Sequence, residues 1–378
     1  MSKPRIAVLL PYEFDRTPAQ RFRWEQWLPH LEAHGLEVEL VTFSTAALSA
    51  ARKAGRRTES AVRFAARYAG WLGEVARAAR RADLIVVARN AALAGPPLAE
   101  AALAALGRPI VYDFDDAIYL PPESGDNLLR RLVRCDWRCR YISARAMLVG
   151  VGCPGLGAWA RRHNPNVVLW PTTVDTGRYR LRGPAHEGPL PVIGWTGSPS
   201  TALYISELLP TLAELQRETE FEVLVIGAEV DLAGHGLRGR CEPWSPDTEV
   251  ALISAIDIGL MPLADTPWAR GKCALKAIQY LALGAPAVVS DVGVNRDVVR
   301  DGESGYLVAP GGDWKAPLRR LLTDRDLRRR MGLRGREHIV RNYSAEAVGP
   351  QVARDLIALL ERAPAAAGRK PAQGGAAG

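Results

Sequence analysis

No run of 18 apolar residues occurs in this chain of 378, so no segment is long enough to cross a bilayer as a helix. Cysteine is scarce. Five thiols, an odd number in a long chain, argue against a disulfide framework and fit a reducing cytoplasm. Cys135 and Cys139 stand at i,i+4, a spacing that a metal can use. No His or second Cys pair accompanies them, so buried free thiols are the favoured reading and no metal or resident cofactor is expected. The opening Met-Ser-Lys-Pro-Arg runs directly into the apolar Ile6–Leu10, and no signal peptide is expected. The first strand lacks a following Gly-x-Gly-x-x-Gly, which argues against a dinucleotide and hydride transfer. Its loop is Pro11-Tyr-Glu-Phe-Asp-Arg-Thr-Pro-Ala-Gln-Arg21 instead, where Thr17 can cap a helix that has Pro18 in its first position. The chain shows no sequence repeat and no recognised DNA or RNA motif.

What is present is an alternation of strand and helix signals, the pattern of a parallel sheet covered on both faces. Strands are expected at Arg5–Leu10, Glu37–Thr42, Asp83–Ala88, Pro109–Tyr112, Ala146–Val151 and Val167–Leu169, with helices at Gln20–His34 and Leu98–Leu106. The segment 182–191 holds two glycines and three prolines and reads as a linker. A second series follows, with strands at Pro191–Trp195, Phe221–Ile226, Ile258–Met261 and Ala287–Ser290, and helices at Leu203–Arg217, Asp247–Ala255 and Ala345–Arg362. The fold class is α/β, with two Rossmann-like domains, 1–187 and 188–344. Residues 363–378 read as a disordered tail.

The net charge of +8 is unevenly placed. Residues 1–185 carry 27 basic against 17 acidic side chains, and the remainder 22 against 24. Two segments hold the excess. Ala51–Arg81 interleaves Arg52, Lys53, Arg56, Arg57, Arg63, Arg67, Arg77, Arg80 and Arg81 with Phe64, Tyr68 and Trp71; Leu128–Met147 repeats the theme with Arg130, Arg131, Arg134, Arg138, Arg140 and Arg145. Both read as basic amphipathic helices suited to an anionic membrane surface. Nucleic acid is the competing partner, disfavoured for want of a motif, and Arg-rich solvated helices are the plain structural alternative.

The densest signal lies between Arg270 and Pro310. Arg270, Lys272 and Lys276 stand at the start of an apolar helix whose outer face is expected to carry Gln279. Cations there oppose the helix dipole, and an anion bound between them and the free N–H groups would resolve the conflict. Gly284 and Pro286 end the helix and launch the strand Ala287–Ser290, whose following loop carries Gly293 and Asn295. Gln279, Gly284-Ala285-Pro286, Val288-Val289-Ser290, the Asp301-Gly302 to Val308 turn and, upstream, Asp257 to Pro262 resemble the donor half of the retaining, two-domain GT-B glycosyltransferases of the "group 1" (family 4) type. The match is specific over 190–310 and architectural before that.

The resemblance implies a GT-B fold, two Rossmann-like domains facing across a cleft, with helix 345–362 crossing back onto the first. It implies a retaining hexosyl-type glycosyltransferase with a nucleotide-sugar co-substrate, UDP or GDP type. The acceptor would be a glycan or lipid-linked, as in polysaccharide biosynthesis, on a cytoplasmic enzyme held peripherally at the inner membrane face. Donor contacts fall on the turn Gly194-Trp-Thr-Gly197-Ser198, on Arg270, Lys272, Lys276 and Asn295, and on Gln279 in the place of a ribose-gripping Glu. Arg240, Cys241, Glu242 and Trp244 occupy the loop that usually meets the nucleobase, where Trp244 either stacks or packs. Gly271 stands where a first Glu would contact the transferred sugar. Arg21 is the candidate contact to acceptor or donor phosphate.

In the first domain, Asp113-Phe-Asp-Asp116 closes a strand at its carboxyl end. Such a cluster suits a cation, sugar hydroxyls or a capping role. In the family a His stands near this point, so Asp115 or Asp116 takes its catalytic place. A non-catalytic nucleotide-sugar-binding subunit is the alternative, motivated by Gly271.

Overall fold

The computed structural model describes residues 3–45, 48, 57–93, 97–105, 107–120, 137–183 and 188–362. Six short apolar runs form the first sheet: β1 Arg5–Leu10, β2 Glu37–Thr42, β3 Leu84–Ala88, β4 Ile110–Phe114, β5 Leu148–Val151 and β6 Val167–Leu169. All pair in parallel, in the order β2-β1-β3-β4-β5-β6. The second sheet comprises β7 Val192–Thr196, β8 Glu222–Ile226, β9 Gly239–Glu242, β10 Ile258–Met261, β11 Ala287–Ser290 and β12 Gly305–Val308. Its order is β12-β11-β10-β7-β8-β9, again all parallel. The chain reverses its direction of travel between β1 and β3 in one sheet and between β7 and β10 in the other. Crevices at the carboxyl ends of such strands are where open α/β sheets bind ligands.

Helices cover both faces, so the central strands are apolar throughout rather than alternating. The final helix, Ala345–Arg362, packs on the helix Gln26–Ala33 of the first sheet. Gly349 allows the approach, because a Cβ there would lie 2.6 Å or less from the His30 ring. Val348, Val352 and Leu356 join a core that includes Trp24, Trp27 and Trp170.

Several elements differ from expectation. The helix expected over Gln20–His34 is broken into Pro18–Gln20, a wide π turn at Arg21–Glu25, and Gln26–Ala33. Pro29 has no N–H for the carbonyl four residues back, which accounts for the widened turn. Thr17 sits at the N-cap as expected, but its hydroxyl makes no cap bond. Pro210 splits Leu203–Arg217 into Ala202–Ser206 and Leu209–Glu218. The stretch expected as a nucleobase loop begins as the edge strand β9, and the turn ending at Val308 contains β12.

The basic helices also need correction. Arg57–Arg81 turns its aromatics inward: Trp71 is fully buried, with Phe64 and Tyr68 packed beside it. Arg67 is committed to Glu74 and to the carbonyls of Phe43 and Thr42. In Trp137–Arg145, Arg138 is buried and paired with Glu100 at 2.7 Å. Neither helix therefore presents its whole basic set to a surface. Arg52, Lys53, Arg56, Arg130, Arg131, Arg134, Cys135, the centre of the linker and the tail 363–378 lie outside the described residues.

Candidate functional site

The carboxyl ends of the two sheets face each other across a cavity of about 740 Å³. From the second sheet, β7 delivers Thr196, Gly197 and Ser198, β8 delivers Gly227, and β9 delivers Glu242 and then Trp244. Gly197 has no room for a side chain: a Cβ would stand 2.9 Å from Thr201 Oγ1 and overlap the Trp195 ring. Gly227, at φ +85, presses on the Gly197 carbonyl. The two glycines thus bring bare backbone to the cavity. Ser198 and Ser200 share a hydroxyl hydrogen bond of 2.8 Å beside it.

The same wall carries Lys272 and Lys276, the second inside the helix Leu275–Ala282. Tyr280 fixes this helix to the sheet, because its hydroxyl accepts from Thr196 N at 3.0 Å and donates to the Leu260 carbonyl at 3.3 Å. Lys276 Nζ lies 5.4 Å from the Trp195 ring centroid. Burial, and then the neighbouring Lys272 charge, pull its ammonium down to about 8. Two ammoniums close to each other, the Lys272 one facing Asp116 across the cavity, are a site with affinity for an anion.

Beneath this wall is a buried polar network centred on Glu249. Glu249 accepts from Arg21 Nη2 at 2.9 Å, Tyr179 Oη at 2.9 Å and Trp244 Nε1 at 3.0 Å. The Gln279 amide donates to Tyr179 Oη at 2.8 Å and reaches Glu249 at 3.4 Å. Gln279 is therefore buried, not on an outer helix face, although it still touches the cavity. With its NH₂ held by Tyr179 and Glu249, its carbonyl oxygen is the group left for a ligand hydroxyl. Burial works to lower the Arg21 guanidinium, but Glu249 and Asp15 outweigh it and hold it raised. Arg21 does not line the cavity; its charge is spent on Glu249 and on Asp15 at 2.6 Å. The expected phosphate contact is thereby replaced by a bond from the first sheet's side to the second.

The facing wall comes from β3 and β4. Asp113 is withdrawn into the core, where it pairs with Arg23 and accepts from Trp24 Nε1 at 2.8 Å. Asp115 and Asp116 reach the cavity. Between them stands Arg89, which the sequence reading did not single out, 3.3 Å from Asp115 and 3.5 Å from Asp116. Arg89 adopts φ +54, unusual for a non-glycine residue, and its N–H donates to the Asp113 carbonyl at 2.7 Å. Its only trace in the sequence is a charge directly after an all-apolar central strand. Burial raises the Asp116 carboxyl, against the opposing pull of Arg89 and Lys272.

Other candidates stand elsewhere. Gly194 is in the middle of β7, where its missing side chain admits Ile256. Arg270 points away from the cavity, with Nε 2.6 Å and Nη2 2.9 Å from Asp265, into a groove shared with Asp291 and Gly293. Asn295 is buried and donates to the Ser290 carbonyl at 2.9 Å, closing its own loop. A Cβ on Gly271 would lie 2.7 Å from Ala117 Cβ, so no glutamate fits there with the two halves in this arrangement. Cys139 is buried, and no cluster of metal-ligating side chains occurs among the described residues.

Residues 246–338 match the family described as "Glycosyl transferases group 1". Over 98 residues the chain is 38% identical to a D-inositol 3-phosphate glycosyltransferase of Nocardia farcinica, an alignment spanning 25% of this chain and 21% of that protein. Among solved structures, a sucrose-phosphate synthase of Thermosynechococcus elongatus superposes with a TM-score of 0.66 at 16% identity, over 95% of this chain and all of that one. HepE of Anabaena, solved with UDP and glucose, gives 0.64 at 15% identity over 94% of this chain and 100% of that one. The chain has the two-domain GT-B fold, and Lys272, Lys276 and Gln279 of the cleft lie within the segment that matches the group 1 glycosyltransferases.

Proposed function

We propose that this protein transfers a hexosyl group from a nucleoside-diphosphate sugar, of the UDP or GDP type, to a glycan or lipid-linked acceptor, with retention of configuration. One observation carries the reading: a single cleft joins two ammoniums and a bare-backbone turn on one wall to a carboxylate pair on the other. Lys272, Lys276 and the Gly197–Ser198 turn neutralise the departing diphosphate, whose charge grows as the sugar bond breaks. Asp115 and Asp116 orient the sugar hydroxyls and face the positive charge developing on its ring. The acceptor proton passes to the departing phosphate oxygen, so positioning and charge stabilisation are the protein's main tasks. Gln279 Oε1 accepts from the ribose, and Trp244 and Glu242 border the base. UDP complexes of HepE support the uridine series as the first choice.

A thermal-shift and calorimetry screen of UDP, GDP and their sugars tests donor binding, and NMR of the product gives its anomeric configuration. Nucleotide-sugar binding without turnover or hydrolysis would favour a binding-only subunit, the reading that Gly271 motivates. We place the acceptor side at an anionic membrane surface, on the strength of the basic first half and the exposed Arg77, Arg80 and Arg81.

A further inference from the structure

The cleft wall carries a reactive group that sugar transfer leaves unused. Cys273 lies between Lys272 and Ala274, half-buried, on the cavity. Its thiol contacts the Asp115 carbonyl oxygen at 3.1 Å. Cys153 follows β5 in the first sheet and is fully buried. Cys273 Sγ lies against Gly152, the residue next to Cys153, so the two thiols come together across the seam between the sheets. Gly152 permits this approach, since a Cβ there would overlap Cys273 Sγ. Two cysteines far apart in sequence therefore meet with no side chain between them, one of them open to the cleft.

We propose that Cys153 and Cys273 form a thiol–disulfide modification site that staples the two halves of the protein across the cleft. The oxidant is a low-molecular-weight disulfide, RSSR. Cys273 is the thiol of the pair that lines the cleft; contact with Cys153 and burial hold it above the ordinary thiol range, so it gives up its proton as it attacks one sulfur of RSSR, and the released RS⁻ takes that proton up. The Cys153 thiolate then attacks Cys273 Sγ and expels the second RS⁻, which leaves as RSH. Two protein thiols become one S–S bond, and RSSR becomes two RSH. Side-chain rotation brings the sulfurs to a bond of about 2.05 Å. Cys273 gives up its bond to Asp115. In the reduced protein the Cys273 thiol, with the backbone N–H groups of Leu156 and Gly155, holds the Cys153 thiol below the ordinary range; once Cys273 carries RS, the two backbone groups remain to favour the Cys153 thiolate. Cys139, buried beside Asn90, and Cys241, on β9, lie elsewhere.

The pairing stands independently of the sugar-transfer reading, and its test needs no activity. Full-length protein is treated with oxidised glutathione, alkylated, digested and mapped by mass spectrometry. A Cys153–Cys273 linked peptide that dithiothreitol releases is expected in the wild type and in Cys139→Ala. In Cys153→Ser, Cys273 should instead retain glutathione. Wild-type protein with glutathione on Cys273 but no link, or with neither thiol modified, overturns the site. Deuterium exchange then tests the staple: slower exchange over 270–278 after oxidation supports it, and unchanged exchange refutes it.

Discussion

Lys276→Met separates a functional lysine from a structural one. The side chain sits against the Trp195 ring, beside a second ammonium, where the first turn of the helix meets the cavity. Its fall from 10.5 to about 8 corresponds to about 3 kcal/mol against holding the charge. The sign follows from linkage. The unfolded chain binds the proton more tightly, so the folded protein gains stability as pH rises from about 8 towards 10.5 and carries the full cost below about 8. Methionine keeps the length and removes the charge. At pH 7 the unligated variant should be more stable in urea, by roughly 1–3 kcal/mol after allowance for relaxation and water. Its affinity for UDP or GDP should fall by about tenfold or more, since a charged hydrogen bond contributes roughly 1.5–3 kcal/mol. Wild-type binding should weaken as pH rises above about 8, with proton uptake visible in buffers of different ionisation enthalpy, and the variant should lose that dependence. A less stable variant with unchanged nucleotide affinity would refute the reasoning.

Asp115→Asn should lower turnover by roughly 10²-fold while nucleotide binding holds, if its carboxylate faces the developing charge; a wild-type rate in steady-state kinetics assigns it to loop structure. Glu249→Ala removes the acceptor shared by Arg21, Tyr179 and Trp244 and leaves the buried Arg21 charge with Asp15 alone. That should destabilise the protein by about 3–5 kcal/mol in urea denaturation, and a loss under about 1 kcal/mol would mean the network contributes little. Replacing Arg77, Arg80 and Arg81 by Gln should release the protein from anionic vesicles, at about 1 kcal/mol per cation. Wild-type protein that stays in the supernatant at low salt ends the membrane reading.

The central strands were legible because a strand buried on both faces reads as an unbroken apolar run, as Leu84–Ala88 does. The edges β9 and β12 were not, since Arg240 and Glu242 on β9 are ordinary for an edge strand and ordinary for a loop. The same limit governs the site. Lys272 and Arg270 are two residues apart and equally basic, yet the short turn Ala269–Gly271 sends Arg270 out to Asp265 while Lys272 enters the cleft. Gly194 and Gly197 look alike on paper; one makes room for Ile256 inside a strand, and the other bares a loop. Helical spacing puts Gln279 on an outer face because it takes no account of a second layer, here Tyr179 and Glu249, closing over it. Arg89 depends on a left-handed backbone that no composition or spacing encodes.

Gly271 and Asp115–Asp116 belong to one argument. The resemblance to the group 1 pattern would put a carboxylate at residue 271, on the wall of the second sheet. Here that position is pressed against Ala117 and Leu156 of the facing half, with a Cβ on it 2.7 Å from one and 3.1 Å from the other. A glutamate would have to push the halves apart, and the Arg21–Glu249 bond opposes that movement. Ala117 directly follows Asp116, so the contact that excludes a carboxylate from one wall lies next to the acidic pair on the other. Arg89, between the two carboxylates on the cavity, pairs with both, and Lys272 faces Asp116 across it. The absence of a glutamate at 271 thus goes with an acidic pair on the opposite wall, and under the proposed function Asp115 and Asp116 are the carboxylates that would stand beside a transferring sugar.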